Sequence, residues 1–379
     1  MNVKRATWIT LFAMLAVSSA AAGQFRNAAY YKLGYRNLPF QLISADFRND
    51  GNVDLAFADY LSGRVTIMLG NGDGTFQSPL QVPVPNPFWL ATGDFDEDGK
   101  LDLAVVESTG NGAGVLQILL GDGSGKFHRG ASYNLGVSST AVAAADFNGD
   151  GHLDLVATNE AGYKNGGSVM VFFGTGKGTF EKPAIYKIAG SPWAVAAGDL
   201  NGDHHPDFAV TNINGYVSVL LNDGSGKFGK PVSYDAGGGE IVDVKIGDLR
   251  HDGRNDLAAV NASRSAVAVL LNNGDGTFGA ANLYPTSLPG ESTGADGVVI
   301  ADFNLDGKLD LAASNQDGNS ALFYGKGDGT FKAAVSIYDE IKFTGAIGLT
   351  VGDFNHDNAP DLAFAMYFKP KVAIMINTQ

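Results

Sequence analysis

Ala144-Ala-Asp-Phe-Asn-Gly-Asp-Gly-His-Leu-Asp-Leu-Val-Ala157 sets a nine-residue acidic loop, residues 146–154, between two short apolar runs. The same Asp-[Phe/Leu]-x-x-Asp-x-x-x-Asp pattern recurs at 46–54, 94–102, 199–207, 248–256, 302–310 and 353–361. Successive starts lie 48, 52, 53, 49, 54 and 51 residues apart. A period of this size built from short β-rich runs is the signature of a β-propeller with one blade per repeat. Seven copies predict seven blades.

Working outward from the second copy, residues 88–93 lead into the loop 94–102, followed by β-rich runs at 103–107, 115–120 and 131–135. Gly, Asp and Asn punctuate the gaps, so each repeat reads as a four-stranded antiparallel blade. A second marker, [Gly/Asn]-x-Gly-x-Gly-x-Phe, ends at Phe76, Phe127, Phe180, Phe228, Phe278 and Phe331. Its glycines suit a tight turn, and its Phe is expected to open the outer strand and point into the blade interface. No helical pattern follows any copy, which argues against a phosphate-cradling loop. The seventh copy is split between residues 374–379 and Gly23-Gln24-Phe25. Residues 25–32 should therefore supply the outer strand of the last blade and close the ring by pairing the two termini.

Residues 1–22 carry Lys4 and Arg5, an apolar run over 8–17 and then Ala20-Ala21-Ala22 before Gly23. This reads as a secretory signal peptide, with residues 23–379 as one propeller domain that is secreted, periplasmic or at the cell surface. The alternative is an uncleaved N-terminal anchor; no other stretch is apolar enough to span a bilayer. There is no cysteine, so an exported chain must find its rigidity without disulfides. Of the 40 acidic residues, more than half belong to the seven loops. The net charge of −14 is thus concentrated in small clusters that need counter-cations, and it argues against nucleic acid as a partner.

The loop chemistry suits calcium, which takes six to eight oxygens at flexible geometry. In the second loop the donors are Asp94, Asp96, Asp98, the carbonyl of Lys100 and Asp102, with Gly99 supplying the bend. The third offers Asp146, Asn148, Asp150, His152 through its carbonyl, and Asp154. The fourth offers Asp199, Asn201, Asp203, His205 likewise, and Asp207; the sixth Asp302, Asn304, Asp306, Lys308 and Asp310. The seventh offers Asp353, Asn355, Asp357, Ala359 and Asp361. Loops one and five carry Arg48 and Arg250 at the third position, where a guanidinium is expected to sit among the carboxylates in place of a metal. His204 and Asn358 replace the glycine of the sixth position and strain those turns. An EF-hand is excluded because the flanks are strands and its twelfth position is Val105 in the second loop. The competing reading is that these aspartates only satisfy turn amides.

These residues, with the Gly-x-Gly-x-Phe turn after them, resemble the FG-GAP or VCBS-type repeat of integrin α-subunit heads and many secreted bacterial proteins. The resemblance covers nearly all of residues 23–379. It implies a seven-bladed propeller with calcium between the first and second strands of each blade, and Arg48 and Arg250 depart from that pattern. Members serve as adhesion heads, lectins or non-catalytic modules of enzymes, and the fold does not choose between them.

There is no Cys nucleophile, G-x-S-x-G or H-E-x-x-H, and five of the six histidines lie inside acidic loops. The expected function is therefore a monomeric, non-catalytic binding or adhesion module for a protein or glycan, with a lectin as the alternative and a propeller lyase or hydrolase behind it. The varied loops opposite the acidic ones, with Tyr35, Tyr60, Phe88, Trp89, Tyr163, Trp193 and Phe343 in or beside them, are the expected recognition face. Trp89 and Trp193 are expected to pack between blades.

Overall fold

A computed structural model describes residues 24–379 except 27–28, 34–38, 109–111, 161–165, 288–293, 317–319, 338–344 and 367–369. The expected signal peptide, parts of the expected recognition loops, and Tyr35, Tyr163 and Phe343 lie outside the described residues. Among the described residues, twenty-eight strands, numbered β1 to β28 along the chain, form seven separate four-stranded antiparallel sheets. Six of the sheets take their strands in chain order, as in β2 (Pro39–Ala45), β3 (Asp54–Asp59), β4 (Arg64–Met68) and β5 (Leu80–Pro83).

The first strands of the blades touch one another around a ring, so they line the axis. They are β2, β6 (Pro87–Gly93), β10 (Val142–Ala145), β14 (Pro192–Gly198), β18 (Ile241–Gly247), β22 (Ala295–Ala301) and β26 (Ala346–Gly352). The exception to chain order is the closing blade, where β1 (Ala29–Lys32) pairs antiparallel with β28 (Lys371–Met375), Ala29 opposite Ile374 and Lys32 opposite Lys371. Phe25 bridges to Asn377 as Phe76 bridges to Gly70 in the first blade, so the split turn is reassembled from the two termini.

The second strands are buried at every position, as in β3 and β11 (Asp154–Asn159). Their Leu-Ala-Val character explains why: both faces meet a neighbouring blade, and the small Ala side chains let sheets converge toward the axis. Between blades, the turn Phe meets the apolar second residue of the preceding acidic loop. Phe76 packs edge-on against Phe354 at 5.5 Å, Phe180 against Phe95 at 5.7 Å and Phe228 against Phe147 at 5.4 Å. Such pairs are worth about 0.5–1.5 kcal/mol each beyond the area they bury. A Tyr from the preceding blade's outer strand completes the contact: the Tyr31 hydroxyl accepts the Phe76 N–H at 3.0 Å, and Tyr133 does the same for Phe180 at 2.6 Å.

In the second blade, β7 (Asp102–Ser108), β8 (Ala113–Gly121) and β9 (Phe127–Val137) run longer than the β-rich runs of the sequence suggest. Strand pairing there continues into the Gly-rich turn itself, from Phe127 opposite Gly121 onward. One 3-10 turn, Ala262–Arg264, is the only helix among the described residues.

Candidate functional site

Each acidic loop joins a first strand to a second and each Gly-rich turn joins a third to a fourth, so antiparallel order puts both at one end of the ring. The ninth aspartate ties them together. Asp102 is fully buried and accepts the Phe95 N–H at 2.9 Å on one carboxylate oxygen and the Gly121 N–H at 2.8 Å on the other. Asp154, Asp207, Asp310 and Asp361 repeat this double acceptance, and all are fully buried. Sequence reasoning treats this residue as a ligand alone; the structure makes it a clamp between loop and turn as well. Each carboxylate oxygen can accept two hydrogen bonds and here accepts one, so a lone pair on each remains for a cation.

The other acids shape the loop. Asp94 accepts the N–H groups of Asp98 at 3.1 Å and Gly99 at 2.9 Å, and Asp98 accepts that of Lys100 at 3.0 Å. Asp146, Asp199, Asp302 and Asp353 act alike on the amides of their own loops. Asp150, Asp203, Asp306 and Asp357 accept the N–H of His152, His205, Lys308 and Ala359. Asn148, Asn201 and Asn355 each donate to the fifth-position carboxylate, while Asn304 accepts the Asp306 N–H at 3.0 Å. The fourth position is left-handed in every loop, with Asn49, Glu97, Gly149, Gly202, His251, Leu305 and His356 there. So is the sixth, including His204 at φ 67° and Asn358 at φ 65°.

Asp94, Asp96 and Asp102 bring three carboxylate oxygens within 4.8 Å of one another. Burial pushes Asp102, Asp154, Asp207 and Asp310 up to about 6 and Asp361 up to about 7, with the neighbouring loop carboxylates adding to the rise. None of these five has a basic partner among the described residues.

Loops one and five differ as the sequence suggests. Arg48 reaches Asp50 at 2.7 Å and Asp54 at 2.8 Å and donates to the Gly70 carbonyl at 2.6 Å. Arg250 makes the same set with Asp252 at 3.3 Å, Asp256 at 2.8 Å and the Asn272 carbonyl at 2.7 Å. The guanidinium pulls Asp54 and Asp256 back down against the rise caused by burial. A positive group thus fits between the fifth and ninth carboxylates and a backbone carbonyl, which marks the same space in the other five loops as suited to a cation held by oxygen donors. The side chains of Lys100 and Lys308 lie on the outer carboxylates Asp98 and Asp306, at 2.6 and 3.9 Å.

Along the axis, residues of β2, β6, β14, β18, β22 and β26 line a central cavity of about 630 Å³ that runs from the starts of these strands to Ser44, Ile246, Ile300 and Val351 near their ends. Phe40, Tyr60, Phe88 and Trp193 cluster at its rim, with ring centroids 4.7 Å apart for Phe40–Phe88 and 5.8 Å for Phe88–Trp193. The expected packing role holds for Trp89, which lies against the cores on either side of the third blade while also lining the cavity. It does not describe Trp193, which faces the cavity and stacks edge-on against Phe88. Asp243, Lys245 and Asp296 also line the cavity, and sequence reasoning missed them. Their signal was charge on first strands that elsewhere carry small apolar residues.

Comparison with known proteins agrees with this geometry. Among solved structures, BBS1N in complex with ARL6DN superposes with TM-score 0.63 at 12% identity, covering 94% of this chain and 97% of that one. The periplasmic gluconolactonase PpgL of Pseudomonas aeruginosa gives TM-score 0.64 at 14% identity, covering 93% and 96%. At such identities the likeness is one of fold. No curated protein sequence matches the chain. The FG-GAP-like repeat matches six times, over 46–105, 94–157, 146–210, 199–259, 248–313 and 302–364, each match opening on the first aspartate of one acidic loop and running past the next. The chain therefore belongs to the FG-GAP-like repeat family.

Proposed function

We propose that this chain is an exported propeller whose acidic loops hold calcium and which serves as a non-catalytic binding or adhesion module. The observation that carries the calcium reading is the exchange of cations between loops: a guanidinium lies among the carboxylates where the third position is Arg, and oxygen donors stand there in the other five. Bound calcium would neutralise the buried ninth aspartates and fix the loops against the turns of the next blade. Protein is the favoured class of ligand; a propeller of the same architecture, BBS1N, is crystallised with a protein partner, ARL6DN. Export rests on residues 1–22, and no helix of the described residues is long and apolar enough to cross a membrane. The non-catalytic reading rests on the loop carboxylates being engaged in loop structure and cation binding, which leaves no acid pair there poised for proton transfer.

Metal analysis of two variants tests the exchange. Asp98→Ala should lower calcium content by one ion per chain, and Asp252→Ala should leave it unchanged, because Arg250 already neutralises that loop. Equal loss in both variants refutes the reading of the arginines.

A further inference from the structure

The central cavity has its own chemistry, independent of the acidic loops. Most of its polar lining is already committed. Gln41 accepts the Leu90 N–H at 2.8 Å, and Ser44 lies 3.0 Å from the Thr350 hydroxyl while donating to the Val351 carbonyl at 2.7 Å. Asp243 accepts the Val244 and Val298 N–H groups at 2.9 and 3.1 Å and pairs with Lys245 at 2.7 Å.

Among the carboxyls of the described lining, Asp296 is the exception. One of its oxygens takes a long 3.3 Å bond from Gln316, and the other is buried with no partner among the described residues. With Asp243 and Lys245 neutralising each other, Asp296 leaves the described lining with one uncompensated carboxyl. Asp296 lines the cavity, and the terminal torsion of an Asp side chain is soft. The aromatic faces of Phe40, Phe88 and Trp193 belong to the same wall system.

A sugar presents many hydroxyls, each needing a partner once desolvated, whereas what the described lining leaves uncompensated is a single carboxyl. An ammonium group needs one carboxylate and gains further from ring faces. We propose that the central cavity binds a small organic cation, an ammonium group on an apolar body, with the ammonium on Asp296 and the body against Phe40, Phe88 and Trp193. A volume of about 630 Å³ suits a ligand of that size.

The test uses phenethylamine as probe, with 2-phenylethanol as its neutral counterpart and glucose as a sugar, all at saturating calcium and about pH 8, where both amine and carboxyl are charged. Tryptophan fluorescence of the full chain should change saturably with phenethylamine, about tenfold more tightly than with 2-phenylethanol, and not with glucose. Asp296→Asn should abolish the preference for the amine while retaining the melting temperature, and Phe88→Leu should weaken amine binding. Equal affinity for amine and alcohol, amine binding undiminished in Asp296→Asn, or no saturable response to phenethylamine at millimolar concentration overturns the proposal. Saturable binding of glucose in preference to the amine overturns it in favour of a sugar site.

Discussion

Leu305 shows how firmly the loop backbone is dictated by its acids. It stands at φ 56° with half of its surface exposed. The conformation is imposed by Asp302, which draws the N–H groups of Asp306 and Gly307 inward at 3.1 and 2.7 Å. A side chain in this region costs about 1–2 kcal/mol, and glycine returns part of that through the entropy of the unfolded chain. Leu305→Gly should therefore raise the denaturation free energy by about 0.5–1 kcal/mol, read as an increased denaturant midpoint at unchanged slope. A lowered midpoint would mean that the leucine packs in a way its exposure does not suggest.

At the scale of elements, the blade is legible in the sequence because each of its parts has a local cause. Asp and Gly punctuation fixes the loops and turns, and the Leu-Ala-Val runs can only be strands buried on both faces. Even the split turn is readable, since Phe25 is the missing end of a repeated motif. What was not legible depends on contacts between repeats. The double clamp of Asp102 needs Gly121, nineteen residues away, and the left-handed fourth position is hidden by residues as different as Glu97, His251 and Leu305. Trp193 reads as interface packing until the ring brings it edge-on to Phe88 at the cavity wall. Ring closure makes its own prediction. Deleting residues 23–32 removes β1 and bares the edge of β28, so hydrogen exchange should rise first over residues 372–376. Protection unchanged there, with new exchange at 54–58, would contradict closure through the termini.

For the molecule as a whole, the seven loops crowd one end of the ring with charge, and two of the seven carry their own arginine. The chain has no disulfide to hold the blades in register, so its rigidity comes from the Phe contacts between blades and from whatever neutralises the loops. A ligand that binds only the folded state stabilises it by mass action, and several such sites compound. The stiffness of the ring then supports the varied loops at the other end and the cavity along the axis, where recognition is proposed. Elemental analysis of the purified protein, paired with thermal unfolding before and after EDTA, tests this most directly: the loops predict about five calcium ions per chain and a melting temperature that falls by several degrees on chelation and returns with calcium, whereas a chain that carries no calcium and melts identically in EDTA would contradict the account.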